Sequence, residues 1–423
     1  MAEAVEKVPF LEGRREWLLF SLAALILLTM HLTWLYREYR TFVSRPFYYS
    51  WGTVLESRTK GSDRGPYRVL KVRTEEGVTL WTRTWRREDL TGRRVRLQLR
   101  PSERIGFADY LRGPYVPSRI KAVGEPEDSA SARLGRAIAL QHDDPEAAAF
   151  YRSIFLADPL PPELRERIAV LGVSHLVALS GFHLGILWGG IFLLLRPLYR
   201  FFQLRYFPWR YDLLDLGGLA LVLLAGYLWL TGAPPSLLRA YVMLAAGWGA
   251  VLLGVEIVGF PFLLVTAVVL AVLFPPLLLS WSFWLSLTGV FAIFLILKHF
   301  GNLSPRLLAF LVIPLGVYWL MLPVSHTLFG VVSPWQNLSP LLSVLFVPFY
   351  PTAMLLHLTG YGGVMDGILE WLWTLPGRPA AMETLPEWFL ALYGGCALMA
   401  MRHRHCFRIL MLGSTGVFIY LYL

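Results

Sequence analysis

The chain has 423 residues, of which 56% are hydrophobic and 16% charged, and its mean hydropathy is +0.51. This balance excludes an ordinary soluble domain, because apolar runs of about 20 residues, enough to cross a ~30 Å hydrocarbon core, recur along the chain. The formal net charge is +10, and the two cysteines, Cys396 and Cys406, are too few for a disulfide framework.

The first predicted element is an apolar helix at 17–36, at the end of an N-terminal segment that we bound at 1–36. It follows the charged start "MAEAVEKVPFLEGRRE" and leaves through the bulky stretch "LTWLYREYR". No small-residue cleavage site follows the apolar run, so we expect a retained transmembrane anchor and not a cleaved signal peptide.

A polar region, 37–125, comes next and accounts for the net charge of the whole chain. It contains 20 Lys and Arg against 10 Asp and Glu, which is a balance of +10. Alternating runs such as "YRVLKV" and "RVRLQL", separated by turn signals, predict four or five short strands. We therefore predict a small soluble β-domain of the OB-like barrel type.

Aromatic residues alternate with cations in this β-region. A cationic groove with aromatic stacking platforms is typical of proteins that bind single-stranded nucleic acid without sequence preference. The alternative is that the rings form the barrel core while the cations face solvent or lipid headgroups. The candidate DNA-binding residues are Tyr48, Tyr49, Trp51, Arg58, Lys60, Trp81, Arg83, Trp85, Arg86 and Arg87.

Residues 126–173 show apolar positions at helical spacing with charges between them, and the stretch "DPLPPE" interrupts them. This pattern predicts amphipathic surface helices. Residues 174–423 are nearly continuous membrane sequence. The predicted spans lie near 182–199, 213–232, 237–255, 258–279, 281–298, 306–329, 338–358, 387–401 and 407–423.

The stretch "SHLVALSGFHLGIL" (174–187) places polar residues where the first of these spans begins. Ser180 is well placed to be a helix N-cap, and His175 lies on the segment before it. Gly181, Gly185 and Gly189 share one helix face, so we expect a neighbouring helix to approach closely there. His183 and Ser180 either line an aqueous path or only satisfy the backbone groups freed by the break.

Arg239 follows Ser236 and a double proline in "TGAPPSLLRAYVML". Ionisable residues within membrane spans are costly and indicate function, and a guanidinium suits phosphate. The alternative is an arginine whose head group reaches the nearby interface. The acids after 182 look like loop or boundary residues, which argues against a proton-coupled transporter. They are Asp212, Asp215, Glu256, Asp366, Glu370, Glu383 and Glu387.

The stretch "RHRHC" (402–406) invites a metal-binding interpretation through His403, His405 and Cys406. It has no partner acid and no second ligand cluster, and a basic loop beside a span fits the positive-inside rule. A nucleotide-binding G-x-x-x-x-G-K-[ST] motif is also absent from the sequence. We therefore expect neither a metal nor a cofactor.

The segment "LGVSHLVALSGFHLGIL" resembles the signature of the ComEC competence-protein family, G-x-x-H-L-L-A-I-S-G-x-H. The matching positions are Gly172, His175, Leu176, Ala178, Ser180, Gly181 and His183. Three later segments are similar to the family more weakly, with Trp284 and Leu287 departing from its pattern and Pro340 one place early. Their matching positions are Ser236, Arg239, Ala240, Met243, Phe283, Leu285, Ser286 and Asn337.

The resemblance implies an inner-membrane channel that passes single-stranded DNA into the cytoplasm during natural transformation. Many relatives add a metallo-β-lactamase-like domain, and this sequence looks like a short form without it. A separate ATP-driven motor, an external DNA receptor and the bilayer are the other implied partners. The resemblance places the OB-like domain on the periplasmic side, and a loop of about 90 residues escapes the positive-inside rule, which governs short loops.

Two other functions remain open from the sequence. "LSGFH" loosely resembles the motif of intramembrane serine proteases, with Ser180 as nucleophile and His299, His326 or His357 as base. A lipid or small-molecule transporter with an external OB-like domain is the other. We expect the channel and no enzymatic activity.

Overall fold

The computed structural model describes residues 13–62, 65–126, 128–254, 259–375 and 381–422. The first twelve residues of the predicted N-terminal segment, and the ends of the predicted spans at 255, 258 and 423, lie outside the described residues. The chain divides into two compact units, described separately below. One contains Leu11–Leu134 and Ala267–Trp284, and the other contains Gly135–Thr266 and Leu285–Leu423.

The first unit begins with helix α1, Arg14–Val43, which is 30 residues long and apolar enough to cross a membrane. It is longer than the predicted anchor at both ends. Most of its side chains are exposed, but Tyr39, Phe42 and Val43 in its last turns are buried. These three residues pack into the core of the sheet that follows.

The β-region forms one antiparallel five-stranded sheet, which confirms the predicted β-domain. Its strands are β1 (Tyr48–Lys60), β2 (Tyr67–Thr74), β3 (Thr79–Thr84), β4 (Arg93–Leu99) and β5 (Ser118–Pro126), with helix α2 (Phe107–Arg112) before the last. The order is β3-β2-β1-β4-β5. The edge strands β3 and β5 approach each other at a bridge between Trp81 and Tyr115 and at the Thr82 and Ser118 hydroxyls, which are 2.7 Å apart. The described strands do not close into a complete barrel, so the predicted OB-like type is not confirmed.

The sheet buries one face because its strands alternate as predicted. Leu70, Val72, Leu80 and Leu97 point into the core and are fully buried. Gly52 lies where β1 pairs with β2, and a Cβ there would be 2.6 Å from Val72 Cγ1. The same Cβ would be 2.8 Å from the carbonyl oxygen of Arg73, so glycine lets β1 pair closely with β2 here.

The second unit starts with short helices and then the apolar ones. The short helices are α3 (Ala130–Ala139), α4 (Pro145–Leu156), α5 (Pro162–Val170) and α6 (Ser174–Val177). The boundary between the two units falls within α3. Asp144 caps α4 by accepting hydrogen bonds from the backbone N–H groups of Glu146 and Ala147. Helix α4 is buried over most of its circumference, which its amphipathic sequence pattern did not predict.

The remaining elements follow in chain order. They are α7 (Gly181–Tyr206), α8 (Asp212–Leu230), α9 (Pro235–Leu252), α10 (Phe260–Leu273), α11 (Trp281–Phe300), α12 (Pro305–Leu307), α13 (Ile313–Leu328), β6 (Val331–Val332), α14 (Ser339–Thr359), α15 (Asp366–Thr374), β7 (Ala381–Met382), α16 (Glu387–Ala400) and α17 (Arg404–Tyr422). A π-helical turn, Leu308–Val312, joins α12 and α13 into one continuous helix.

The described residues contain seven helices that are long and apolar enough to cross a membrane, including α1. Three further apolar helices, α9, α10 and α16, are shorter. The chain is therefore a polytopic α-helical membrane protein with a small β-domain, as its composition predicts. Every predicted span corresponds to one of these apolar helices.

Candidate functional site

The predicted helix break is present at the start of α7. Helix α6 ends at Val177, and the chain is extended at Ser180 (φ −144°, ψ 179°), which is the N-cap of α7. His183 Nδ1 is 3.3 Å from the backbone N–H of Ser180, which donates to it, and 3.2 Å from the Ser180 hydroxyl. Ser180 and His183 thus form a reciprocal cap, and the predicted N-cap role of Ser180 is confirmed.

His183 lies in a fully enclosed aromatic setting. Its side chain is 0% exposed, and its ring meets Tyr350 edge-on with centroids 4.8 Å apart. The Tyr227 hydroxyl donates to the carbonyl of Phe155 at 2.7 Å, so Tyr350 donates to Tyr227 at 3.2 Å. The Nε2 atom of His183 has no hydrogen-bond partner among the described residues, which leaves an unsatisfied polar atom at the centre of the break.

A second segment joins the break from the start of α14. Ser343 Oγ donates to the carbonyl of Ser339 at 2.7 Å, so His175 Nε2 donates to Ser343 Oγ at 3.2 Å. Ser339 Oγ donates to the carbonyl of Gly172 at 3.0 Å. Gly172 has φ +71°, and a Cβ there would be 3.1–3.2 Å from the Cα and Cβ atoms of Gln336.

A third segment, the beginning of α9, packs against the beginning of α7. A Cβ on Gly181 would be 3.5 Å from the Cβ of Ala240, which is ordinary contact. Leu184 and Leu237 belong to one buried cluster. Arg239 is 7% exposed, so its side chain is enclosed by protein.

We predicted that a neighbouring helix approaches α7 closely along its three glycines. This prediction is wrong for the second and third of them, Gly185 and Gly189. Within the described part of the chain, a Cβ added at Gly185 or Gly189 would meet no heavy atom within 4 Å. Spacing places glycines on one face, but it does not determine whether a helix covers that face. Of these three glycines, Gly181 alone has a described residue of a neighbouring helix within 4 Å of an added Cβ.

Two predicted motif residues, Asn337 and Ser286, are exposed side chains outside the hydrogen bonds of the break. Asn337 is exposed and accepts a hydrogen bond from the Tyr318 hydroxyl at 2.8 Å. Ser286 is exposed on α11. The structure therefore gathers His175, Ser180 and His183 with the start of α14, and Gly181 with the start of α9.

The candidate bases for a hydrolase bond to other groups. His299 Nε2 is 3.0 Å from the carbonyl of Ala400, and His326 Nδ1 is 2.9 Å from that of Leu322. His357 Nδ1 is 2.7 Å from that of Ala353. Ser180 instead meets His183, whose Nδ1 also accepts the Ser180 backbone N–H, as a capping residue does.

The β-domain presents a cationic and aromatic surface on the side of the sheet away from its core, which we call the outer face. Tyr49 lies under Arg96, with the guanidinium carbon 5.6 Å from the ring centroid, and Trp51 lies under Arg94 at 5.5 Å. The Lys71 ammonium is 5.5 Å from the Trp81 ring centroid. These cation–π pairs keep positive charge directly above the rings.

The other candidate residues of the β-domain divide between core and surface. Tyr48 packs against Phe42 in the sheet core, so it belongs to the packing alternative. Trp85 is 50% exposed and contacts Tyr67 at 5.7 Å between centroids. The exposed cations are Arg58, Lys60, Arg83, Arg86 and Arg87, of which Arg58 pairs with Glu56 and lies 5.8 Å from the Trp81 ring.

A polar network that the sequence did not predict lies in the second unit. His142 Nδ1 is 2.8 Å from Asp366 Oδ2, and His142 Nε2 is 2.9 Å from His357 Nε2. The His142 side chain is 0% exposed, and Asp366 is 15% exposed. His142 is more than 200 positions from both of its partners, and no spacing signal links it to them. Among the described residues, no group of three His, Cys, Asp or Glu is arranged to hold a metal ion.

Comparison with known proteins places these features in a family. A family model described as "Competence protein" matches residues 157–423. The chain belongs to the competence-protein family. The matched residues, 157–423, include the break, the starts of α9 and α14, and Asp366. The β-domain and His142 precede this region.

The chain also resembles a curated relative. The "Uncharacterized protein YcaI" of Escherichia coli (strain K12) is 30% identical over 249 residues. The match covers 54% of this chain and 31% of the relative, so the chain spans about a third of that protein's length. No solved structure matches the chain.

Proposed function

We propose that this competence-family protein is an inner-membrane channel that takes up single-stranded DNA during natural transformation. Membership of the Competence family over residues 157–423 is the observation that supports DNA uptake. The helices long enough to span a membrane support a path through the bilayer. In this proposal the protein has no catalytic role, and a separate ATP-driven motor and an external DNA receptor act with it.

The outer face of the β-domain is the proposed first binding surface for the strand. Phosphates are attracted to Arg94, Arg96 and Lys71, while Trp51 and Trp81 offer ring faces on which bases stack. Each ring is covered by a cation, so a base must displace that cation or stack beside it. The proposal places this domain on the periplasmic side, where incoming DNA arrives.

The break at the start of α7 is the proposed channel element. It combines an interrupted helix, an enclosed arginine and a buried histidine with an unsatisfied nitrogen, Nε2 of His183. Irregular backbone at membrane depth is tolerated where it is buried in protein or lines a water-filled cavity. His175, Ser180, His183, Ser236 and Arg239 are the residues to which we assign this role.

Uptake of labelled DNA in a deletion strain tests the proposal. The channel requires labelled DNA to reach the periplasm but not the cytoplasm, and the wild-type gene should restore cytoplasmic entry and transformation. Normal cytoplasmic entry in the deletion strain would reject the channel and leave transport of a lipid or small molecule as the alternative. Loss of periplasmic entry would move the function to an earlier step.

The purified full chain should bind single-stranded oligonucleotides with an affinity that falls steeply as salt rises, because phosphate contacts release counterions. The slope of log affinity against log salt concentration should become shallower by about 0.7 in Arg96→Gln, if that arginine contacts one phosphate. Trp51→Ala should weaken binding by about 1–3 kcal/mol if its ring stacks on a base. Fluorescence anisotropy across a salt series measures both effects.

Arg306→Gln is the matched control, since Arg306 is an exposed cation outside the β-domain. It should bind with the wild-type affinity and slope. Equal affinity of the wild type at low and high salt would contradict phosphate binding. A thermal melt of the Trp51→Ala protein separates lost stacking from lost stability.

A further inference from the structure

The histidine network joins three elements of the second unit. His142 lies between α3 and α4, His357 lies near the end of α14, and Asp366 begins α15. His142 Nδ1 faces both oxygens of Asp366, at 2.8 and 3.0 Å, while its Nε2 faces His357 Nε2 at 2.9 Å. Gln141 adds to this junction by donating to the carbonyl of His357 at 3.1 Å and accepting from the backbone N–H of Gly362 at 2.9 Å.

Counting donors gives the number of protons that this network needs. His357 Nδ1 is 2.7 Å from the carbonyl of Ala353, which only accepts, so Nδ1 bears the hydrogen and Nε2 of a neutral His357 is an acceptor. His142 Nε2 must then donate to it. A carboxylate also only accepts, so His142 Nδ1 must donate to Asp366 as well. With His357 neutral and Asp366 ionised, both ring nitrogens of His142 therefore bear hydrogens.

We propose that this network is a proton-binding site, in which His142 is held as an imidazolium between the Asp366 carboxylate and the neutral His357. The bound proton ties the segment before α4, the end of α14 and the start of α15 together. Removing it leaves two lone pairs facing each other at 2.9 Å, unless His357 gives up its bond to Ala353. The inference does not depend on the proposed channel.

The surroundings favour a proton over a metal ion. The two ring centroids are 5.0 Å apart while the two Nε2 atoms are 2.9 Å apart, so the nitrogens lie between the rings and point toward each other. Tyr151 of α4 stacks on His142 with centroids 4.7 Å apart. Burial raises the pKa of Tyr151, and Asp366 raises it further, so the phenol stays neutral and adds no charge.

The test is the thermal midpoint, Tm, of the full chain in detergent between pH 6 and pH 9. The wild type should lose stability as pH rises, because the bonds that require the proton are present at low pH and lost when it leaves. In Asp366→Asn, the carboxamide can donate to Nδ1 of a neutral His142, which then donates to His357 through Nε2. This variant satisfies the network without the extra proton. Between pH 6 and pH 9, its Tm should therefore fall by roughly 2–4 °C less than the Tm of the wild type falls.

Three comparisons complete the test. His142→Gln should have a lower Tm than the wild type at pH 6, and His405→Gln, which replaces an exposed histidine, should keep the wild-type pH profile. Nitrogen NMR of the histidine-labelled wild type at neutral pH should show an imidazolium resonance that His142→Gln removes. This measurement does not require the Asp366→Asn variant to fold. Equal pH profiles of wild type and Asp366→Asn, or absence of that resonance, would overturn the inference. A Tm that rises with added zinc and falls with a chelator would also overturn it.

Discussion

Arg239→Leu should reduce transformation to background while the protein remains at normal levels in the membrane. The side chain is 7% exposed and lies at the start of α9, beside the residues that pack on α7. An enclosed guanidinium offers a flat fork of donors that matches phosphate. Arg239→Lys should keep part of the activity, since lysine retains the charge and loses the fork. The measurement is transformation frequency normalised to protein level by immunoblot.

The control for this prediction is Arg306→Leu, which removes an exposed arginine from the start of α12. It should transform like the wild type. If Arg239→Leu transforms normally, Arg239 takes no part in uptake. If both Arg239 variants fail equally, shape and packing at this position matter more than positive charge.

Gly172→Ala should destabilise the junction between the break and α14. Gly172 has φ +71°, where an L-residue is strained by about 1–3 kcal/mol, and the new Cβ would press on the Cα and Cβ of Gln336. The backbone of Gln336 cannot move away easily, because its side chain donates to the carbonyl of Val331 at 2.9 Å and accepts from the Tyr422 hydroxyl at 2.6 Å. We expect a lower Tm and less transformation per molecule.

Gly189→Ala is the matched control for that variant. It adds the same methyl group within α7, where no described atom lies within 4 Å, and alanine favours helix over glycine by about 1 kcal/mol. Its Tm should equal or exceed that of the wild type. Equal effects of the two substitutions would show that the conformation of Gly172 does not hold the junction.

Local patterns predicted the features that depend on neighbouring residues. Alternation along β2 and β4 predicted the strands and which side chains enter the core, and apolar length predicted the spans. Ser180 was correctly predicted as the N-cap because a cap depends on residues within one turn. The partial division of the aromatic residues, with Tyr48 in the core and Tyr49 outward, follows from the same alternation once the register is known.

Features that depend on tertiary packing could not be predicted in this way. Gly185 has the spacing of a packing face, yet an added Cβ there meets open space among the described residues. Asp366 looked like a boundary residue, because nothing in its own surroundings marks His142 as its partner. A hydrogen-bonded pair of side chains at distant positions leaves no periodic trace in the sequence, so only the fold reveals it.

The packing of Tyr39, Phe42 and Val43 into the sheet core has a consequence for how the β-domain is held. Tyr39 also donates a hydrogen bond to the carbonyl of Ile105 at 2.8 Å. The last turns of α1 are thus a structural part of the domain. A soluble fragment that begins after Val43 would lose these three side chains and expose the sheet interior.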